Sequence, residues 1–192
     1  MDHHKKLVSE HAKKLISSYG VNDNMLSNAV LDAGFAAEYK NILFPGGLKD
    51  LLRFIADDMD GLMLQKLEEL DIDTMRVRDR IRQAVKIRLS LYRAIKDYQQ
   101  ALRRILYFCL QPQNSPFAAR TAYNTADKIW LAAGDTSTDF NFYTKRFLLS
   151  AVYTSTFLYF IRDRSYDHRK SWIFLERRIN NVLSIGKFLR RL

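Results

Sequence analysis

The chain has 192 residues, of which 47% are apolar and 12% aromatic; that excludes a disordered polypeptide and suffices for one large domain or two small ones. The formal net charge is +10, and the lone cysteine, Cys109 in ILYFCLQP, cannot form an internal disulfide, which points to a reducing compartment or indifference to redox. The apolar run 147–161 holds Ser150, Thr154, Ser155 and Thr156 between Arg146 and Arg162, too short and hydroxylated to span a bilayer, and the basic start MDHHKKLVSEHAKKLI reads as neither a secretory signal nor a transit peptide.

In chain order, Leu7, Ala12, Leu15, Ile16 and Tyr19 recur at helical spacing, and Gly20 closes that helix. Asn22 or Asp23 caps a short second helix through Leu26, Ala29, Val30 and Leu31 to Gly34. A third, AAEYKNIL, breaks at FPGG. A longer helix follows with Leu48, Leu51, Leu52, Ile55, Met59 and Leu62 on one face. After the acidic joint LEELDIDT, one long helix is predicted from Met75 to Cys109. Its apolar stripe is Val77, Ile81, Ala84, Val85, Leu89, Tyr92 and Ile95, with Arg76, Arg80, Arg82, Lys86, Arg88 and Arg93 over much of the rest. LQPQNSPF, with two prolines, ends that segment at Leu110. Residues 118–133 read as helix up to Gly134, Thr136 to Asp139 has the form of a capping box, and the helix it opens runs to Ile161. A last helix spans Trp172 to Leu192. No segment shows strand periodicity, so the fold class is all-α.

Charge is unevenly placed. Residues 75–111 hold ten basic against two acidic side chains and 161–192 hold nine against three, whereas 1–65 hold seven against nine. Within 22–48, where a recognition helix would lie, only Lys40 stands against Asp23, Asp32 and Glu38. That charge pattern is unsuited to a phosphate backbone. The chain has no Glu-x-x-His pair, Gly-rich phosphate loop, nucleophile elbow or Cys/His cluster of metal spacing, so no catalytic residue, metal or cofactor is assigned and a non-enzyme is predicted.

The stretch AGDTSTDFNFYTKR concentrates Asp135, Asp139, three aromatics and the pair Lys145–Arg146. Asp139 suits a helix cap, and capping is compatible with docking. Successive helical positions lie about 100° apart, so Phe140, Phe142 and Tyr143 cannot all face a core, and at least one is left as an interface anchor. Tyr153, Phe157, Tyr159 and Phe160 suit a core by spacing. Ser150, Thr154, Ser155 and Thr156 either bond to their own backbone or supply polar contacts in an apolar pocket.

The first third, with a turn at Gly20, two short helices, an aromatic-Pro/Gly break and then LKDLL, resembles the head of a TetR-type regulator. Residues 45–188, above all KIWLAAGDTSTDFNFYTKRFLLSAVYTSTFLYFIRDRSYDHRKSWIFLERRINNVLSIGKF, are similar to the lipid-binding accessory proteins of ubiquinone biosynthesis, the Coq-nine family. The core W-x-x-A-G-D-x-S-T-D-F-N-x-Y-T-[KR]-R is supported by FLERRI and QPQNSPF. The resemblance implies a TetR-like helical bundle, with a degenerate helix-turn-helix head over 1–65 and a lipid-binding bundle over 75–192. It further implies a non-catalytic protein that holds an isoprenoid quinone intermediate or a phospholipid and presents it to the di-iron demethoxyubiquinone hydroxylase. Carried over, the hydroxylase face comprises Ile129, Asp139, Phe142 and Tyr143, where the family usually has Met for Ile129 and Trp for Phe142. The lipid set is Arg146 at the headgroup with Tyr153, Thr154 and Phe157. A homodimer through the C-terminal helices is expected, resting on a membrane surface through basic faces or the tail SIGKFLRRL. The expected location is the bacterial cytoplasm beside the inner membrane, or the mitochondrial matrix side for an organellar mature form. The alternative is a TetR-type DNA-binding regulator with a lipophilic effector, which the acidic head argues against; nucleic acid is not expected as a partner.

Overall fold

The structure is a computed structural model that describes residues 1–136 and 140–189, with the backbone alone at 73, 140, 141 and 183–189. Among the described residues every regular element is helical: α1 Asp2–Tyr19, α2 Asp23–Asp32, α3 Lys40–Leu43, α4 Leu48–Glu68, α5 Val77–Ser90, α6 Tyr98–Leu110, α7 Ser115–Ala132, α8 Phe140–Phe160 and α9 Arg169–Leu189, joined in several places by single 3₁₀ turns. They form two compact units, Met1–Met59 with Leu91–Thr121, and Asp60–Ser90 with Ala122–Leu192. Of the head expected over 1–65, residues 1–59 thus share a unit with 91–121, and 60–65 fall in the other.

In the first unit α1 packs on α2 and α6 around a core of Val8, Ala12, Ile16, Met25, Leu26, Leu43, Leu51, Ile55, Ile95 and Ala101. Gly20 sits at φ +76°, where a side chain would be strained, and its amide bonds to the Ile16 carbonyl at 3.0 Å to close α1. Asn22 Oδ1 accepts the Met25 amide at 2.9 Å, so Asn22, not Asp23, caps α2. α3 is only four residues long after a 3₁₀ turn, and Pro45 follows Phe44. Its Lys40 donates to Asp23 and to Ser27 Oγ at 2.8 Å, while Tyr39 turns inward, its ring tilted against Phe35 and its hydroxyl 3.1 Å from His4 Nδ1.

Three expectations are corrected here. The single helix over Met75–Cys109 is two helices: Leu91–Ala94 tightens to a 3₁₀ turn and Asp97 adopts φ 47°, ψ 44°, a left-handed conformation that interrupts the i→i−4 ladder. Arg88 is not on the basic face either; it is 1% exposed and buried among the apolar positions of α5. In the second unit α8 and α9 pack together and both meet α5. Burial on α8 follows Arg146, Leu149, Tyr153, Thr156 and Phe160, while Tyr143, Phe147, Ala151, Thr154 and Leu158 face outward. α8, expected to be central because it is apolar nearly all round, therefore buries one face. Cys109 is half-buried, and burial pushes its thiol up to about 11, which leaves it inert.

Candidate functional site

The loop AGDTSTDFNFYTKR begins as a helix stop. Gly134 stands at φ +87°, its amide bonds to Leu131 O at 3.0 Å, and the Asp135 amide bonds to Trp130 O at 3.0 Å. These two bonds satisfy the last carbonyls of α7 and aim the Asp135 side chain back under α8. There, with 5% of its side chain exposed, Asp135 accepts Lys145 Nζ at 2.7 Å and Arg146 Nη1 at 3.0 Å. Arg146 Nε donates to Asp127 of α7, and Nη1 also donates to Phe142 O at 3.1 Å. The guanidinium lies 3.3 Å from the centroid of the Phe142 ring. Trp130 Nε1 donates to Lys145 O at 3.0 Å, and Lys145 Nζ stands over the same indole at 5.4 Å. Arg146 Nη2 is buried in this group with no bond among the described residues.

Burial alone would push the Arg146 guanidinium down, but the hydrogen bonds and charges of Asp127 and Asp135 outweigh it and hold the group above its ordinary value. Two cations, Lys145 and Arg146, face two carboxylates, so the cluster has no surplus positive charge with which to hold a phosphate. Chemically it is a latch that fixes the first turns of α8 against α7. Tyr143, one residue beyond the Phe142 carbonyl that Arg146 holds, packs edge-on to Phe142 at 5.1 Å and is 64% exposed. Of the docking set, Phe142 and Tyr143 are therefore brought together, with Phe142 half-buried. Ile129 is fully buried in α7 and presents no surface, a correction to its expected place on the docking face. Asp139 lies outside the described residues, so of the expected capping box only Thr136 is described.

The lipid set is divided. Arg146 is spent in the latch, Tyr153 is 7% exposed on the buried stripe, Phe157 is half-buried, and Thr154 points outward. The neighbouring hydroxyls bond to their own helix, Ser150 to Phe147 O, Ser155 to Val152 O and Thr156 to Val152 O.

Sequence reading missed two buried polar groups of the second unit. Asp60 accepts Arg88 Nε at 2.7 Å, Thr125 Oγ1 at 3.1 Å and Lys128 Nζ at 3.2 Å, with both Asp60 and Arg88 almost wholly buried. The signal for this group was a charge falling on an apolar stripe: Asp60 between Met59 and Met63, Arg88 between Val85 and Leu89. The other group joins the end of α8 to α9. Asp163 accepts the Ser171 amide at 2.8 Å, Ser171 Oγ at 2.6 Å and the Ser165 amide at 2.8 Å, and His168 stacks on Phe160 at 4.0 Å. Burial opposes ionisation of Asp163, but the bonds from Ser171 and Ser165 prevail and hold its carboxyl down at about 2. A carboxyl depressed when folded favours the folded state above its unfolded value near 4 and loses that advantage as pH falls toward 2. Urea unfolding from pH 6 down to pH 2 should show wild type losing on the order of 2 kcal/mol more than Asp163→Asn across that window. Parallel curves for the two proteins would exclude this role.

Residues 115–186, from the start of α7 through most of α9, match the family model described as COQ9. Over that stretch the chain is similar to the COQ9 family. Curated relatives extend the likeness beyond that range. The probable ubiquinone biosynthesis protein coq9, mitochondrial, of Dictyostelium discoideum is 26% identical over 187 residues, 94% of this chain and 60% of the relative. The human ubiquinone biosynthesis protein COQ9, mitochondrial, is 29% identical over 181 residues, and its Bos taurus counterpart is 36% identical over 181; in both, 91% of this chain aligns with 56% of the relative. The chain therefore spans little more than half the length of these relatives. Among solved structures, a TetR transcriptional regulator from Nitrosomonas europaea superposes with a TM-score of 0.70 over 92% of this chain and 95% of its own, at 18% identity. The TetR-type fold expected from the head is thus the fold of the chain, and the residues that match the COQ9 model contain the latch.

Proposed function

We propose that this protein serves ubiquinone biosynthesis as a non-catalytic accessory protein. On this reading it holds an isoprenoid quinone intermediate or a phospholipid and presents it at a membrane surface to the demethoxyubiquinone hydroxylase. Membership of the pathway is supported by the similarity to the COQ9 family and by the names of the relatives. The observation that carries the docking element is Tyr143, an outward aromatic on a turn that is itself locked by Arg146 and Asp135. A preorganised aromatic anchor loses little side-chain entropy on binding and is the kind of residue that dominates interfaces. Phe147, 68% exposed one turn further along α8, extends the same face. A homodimer through α8 and α9 completes the reading. In this reading contact with lipid is peripheral; among the described residues no helix is long and apolar enough to cross a membrane. The relatives are mitochondrial by name, which favours the organellar location. The DNA-binding alternative draws no support from the head, where Lys40 is already engaged by Asp23 and Ser27.

Calorimetric titration of the purified protein with the hydroxylase tests the docking face. Tyr143→Ala is expected to weaken binding by at least about tenfold, the effect of losing a central aromatic anchor, with the thermal midpoint unmoved because the side chain is exposed. Asp139→Lys is expected to act in the same direction. Wild-type affinity in both variants would remove the hydroxylase from this face. Solvent extraction followed by mass spectrometry tests lipid carriage, with a stoichiometric isoprenoid or phospholipid as the expected result.

A further inference from the structure

We infer that the outward face of α6, formed by Arg103, Tyr107 and Leu110, is a contact for an anionic phospholipid surface. The inference rests on the membrane element of the proposed function and locates it in the first unit, outside the residues matched by the family model. Arg103, Tyr107 and Leu110 are spaced four and three residues apart and so share one side of the helix. The opposite side of α6 is spent on the core through Ala101, Leu102 and Phe108. Tyr107 is 72% exposed and Leu110 70%, two large apolar side chains adjacent on one turn.

Their electrostatic setting selects the partner. Residues 98–126 contain no Asp or Glu, and the segment carries Arg103, Arg104 and Arg120, all exposed. The turn after α6 is flanked by two more cations from α4. Lys49 Nζ donates to Gln113 O at 3.0 Å, and the Arg53 guanidinium lies 5.8 Å from the centroid of the Phe117 ring. Asp50, an acid on α4 beside these cations, is occupied by the Gly46 amide and by Arg53. A phosphodiester backbone would use the arginines but offers nothing to Leu110. A bilayer surface uses all three kinds of side chain. Leu110 enters the acyl boundary, the Tyr107 ring sits at headgroup depth with its hydroxyl wet, and the arginine stems lie flat while their heads meet phosphate. Each such cation near anionic lipid is worth about fivefold in partitioning.

The test is flotation of the full chain with vesicles of phosphatidylcholine alone or with added phosphatidylglycerol. Wild type is expected to float with the anionic vesicles only, less so as salt is raised. The pair Tyr107→Ser with Leu110→Ser, and separately Arg103→Glu, should each lose at least about tenfold in partitioning, with unchanged circular dichroism. Tyr143→Ala should float like wild type while losing the hydroxylase, so failure here and failure of the docking face are distinguishable. Tyr107→Trp gives a readout independent of partitioning: the emission it adds to that of wild type should shift to the blue on anionic vesicles. Wild-type flotation by the α6 variants, or an unshifted added emission in Tyr107→Trp, overturns the inference while leaving peripheral binding in place. Absence of flotation by wild type overturns both. Loss of nucleic-acid binding without loss of flotation in Arg103→Glu would reassign the face.

Discussion

Replacing Arg146 by Ala is expected to lower folding stability by about 3 to 5 kcal/mol, the range seen when one partner of a buried ion pair is removed. The cost arises from what is left behind. The Asp135 side chain, only 5% exposed, would keep Lys145 but lose the guanidinium, Asp127 would lose its bond, and the Phe142 carbonyl would lose a donor at the start of α8. Against a total stability of roughly 5 to 15 kcal/mol, such a variant stands near unfolding at ordinary temperature. Arg146→Lys keeps the charge but cannot reach Asp127, Asp135 and Phe142 O from one rigid fork, and should fall between wild type and Ala. Urea denaturation of the three proteins measures this. A variant Arg146→Ala with wild-type stability and no extractable lipid would instead return the guanidinium to the headgroup role suggested by family resemblance.

Asp60→Leu is expected to be comparably damaging, again by about 3 to 5 kcal/mol, because it leaves Arg88 buried beside Lys128 and deprives Thr125 of its acceptor. The double substitution Asp60→Leu with Arg88→Met should recover much of that loss, since apolar side chains of similar volume replace a pair whose desolvation offsets most of its attraction. Calorimetric unfolding of the two singles and the double closes the cycle. Additive losses would mean that the two side chains do not act as a unit.

The elements were legible where the chain obeys one period at a time. Asn22 and Gly20 bracket α1 and α2 by local backbone chemistry alone, and Gly134 ends α7 for the same reason. Leu51, Ile55 and Met59 reveal the buried face of α4 because nothing polar interrupts them before Asp60. The joint between α5 and α6 was not legible: Tyr92 and Ile95 continue the apolar stripe, and Asp97 enters a left-handed conformation without a glycine to announce it. At the site, the step of about 100° between helical positions left at least one aromatic of the motif outward, and Tyr143 is outward. The burial of Ile129 and the role of Arg146 depend on partners supplied by a different helix, which spacing along one segment does not encode. Arg146 in particular follows Lys145 and reads as solvated until Asp127 and Asp135 are placed around it.

The break at 91–97 has a consequence for ionic strength. Of the net +8 carried by residues 75–111, +5 lies in 75–90 and +3 in 91–111, on either side of the boundary between the two units. The first group is partly committed inside its own unit, Arg82 to Asp79 and Glu176 and Lys86 over Trp172, where short contacts are weakly screened. Arg103 and Arg104 of the second face solvent, and their reach shrinks to about 8 Å at physiological salt and about 3 Å near 1 M. Salt should therefore erase long-range attraction to charged surfaces well before it loosens the packing of α5 on α9, so that a wash releasing the protein from lipid leaves its fold intact.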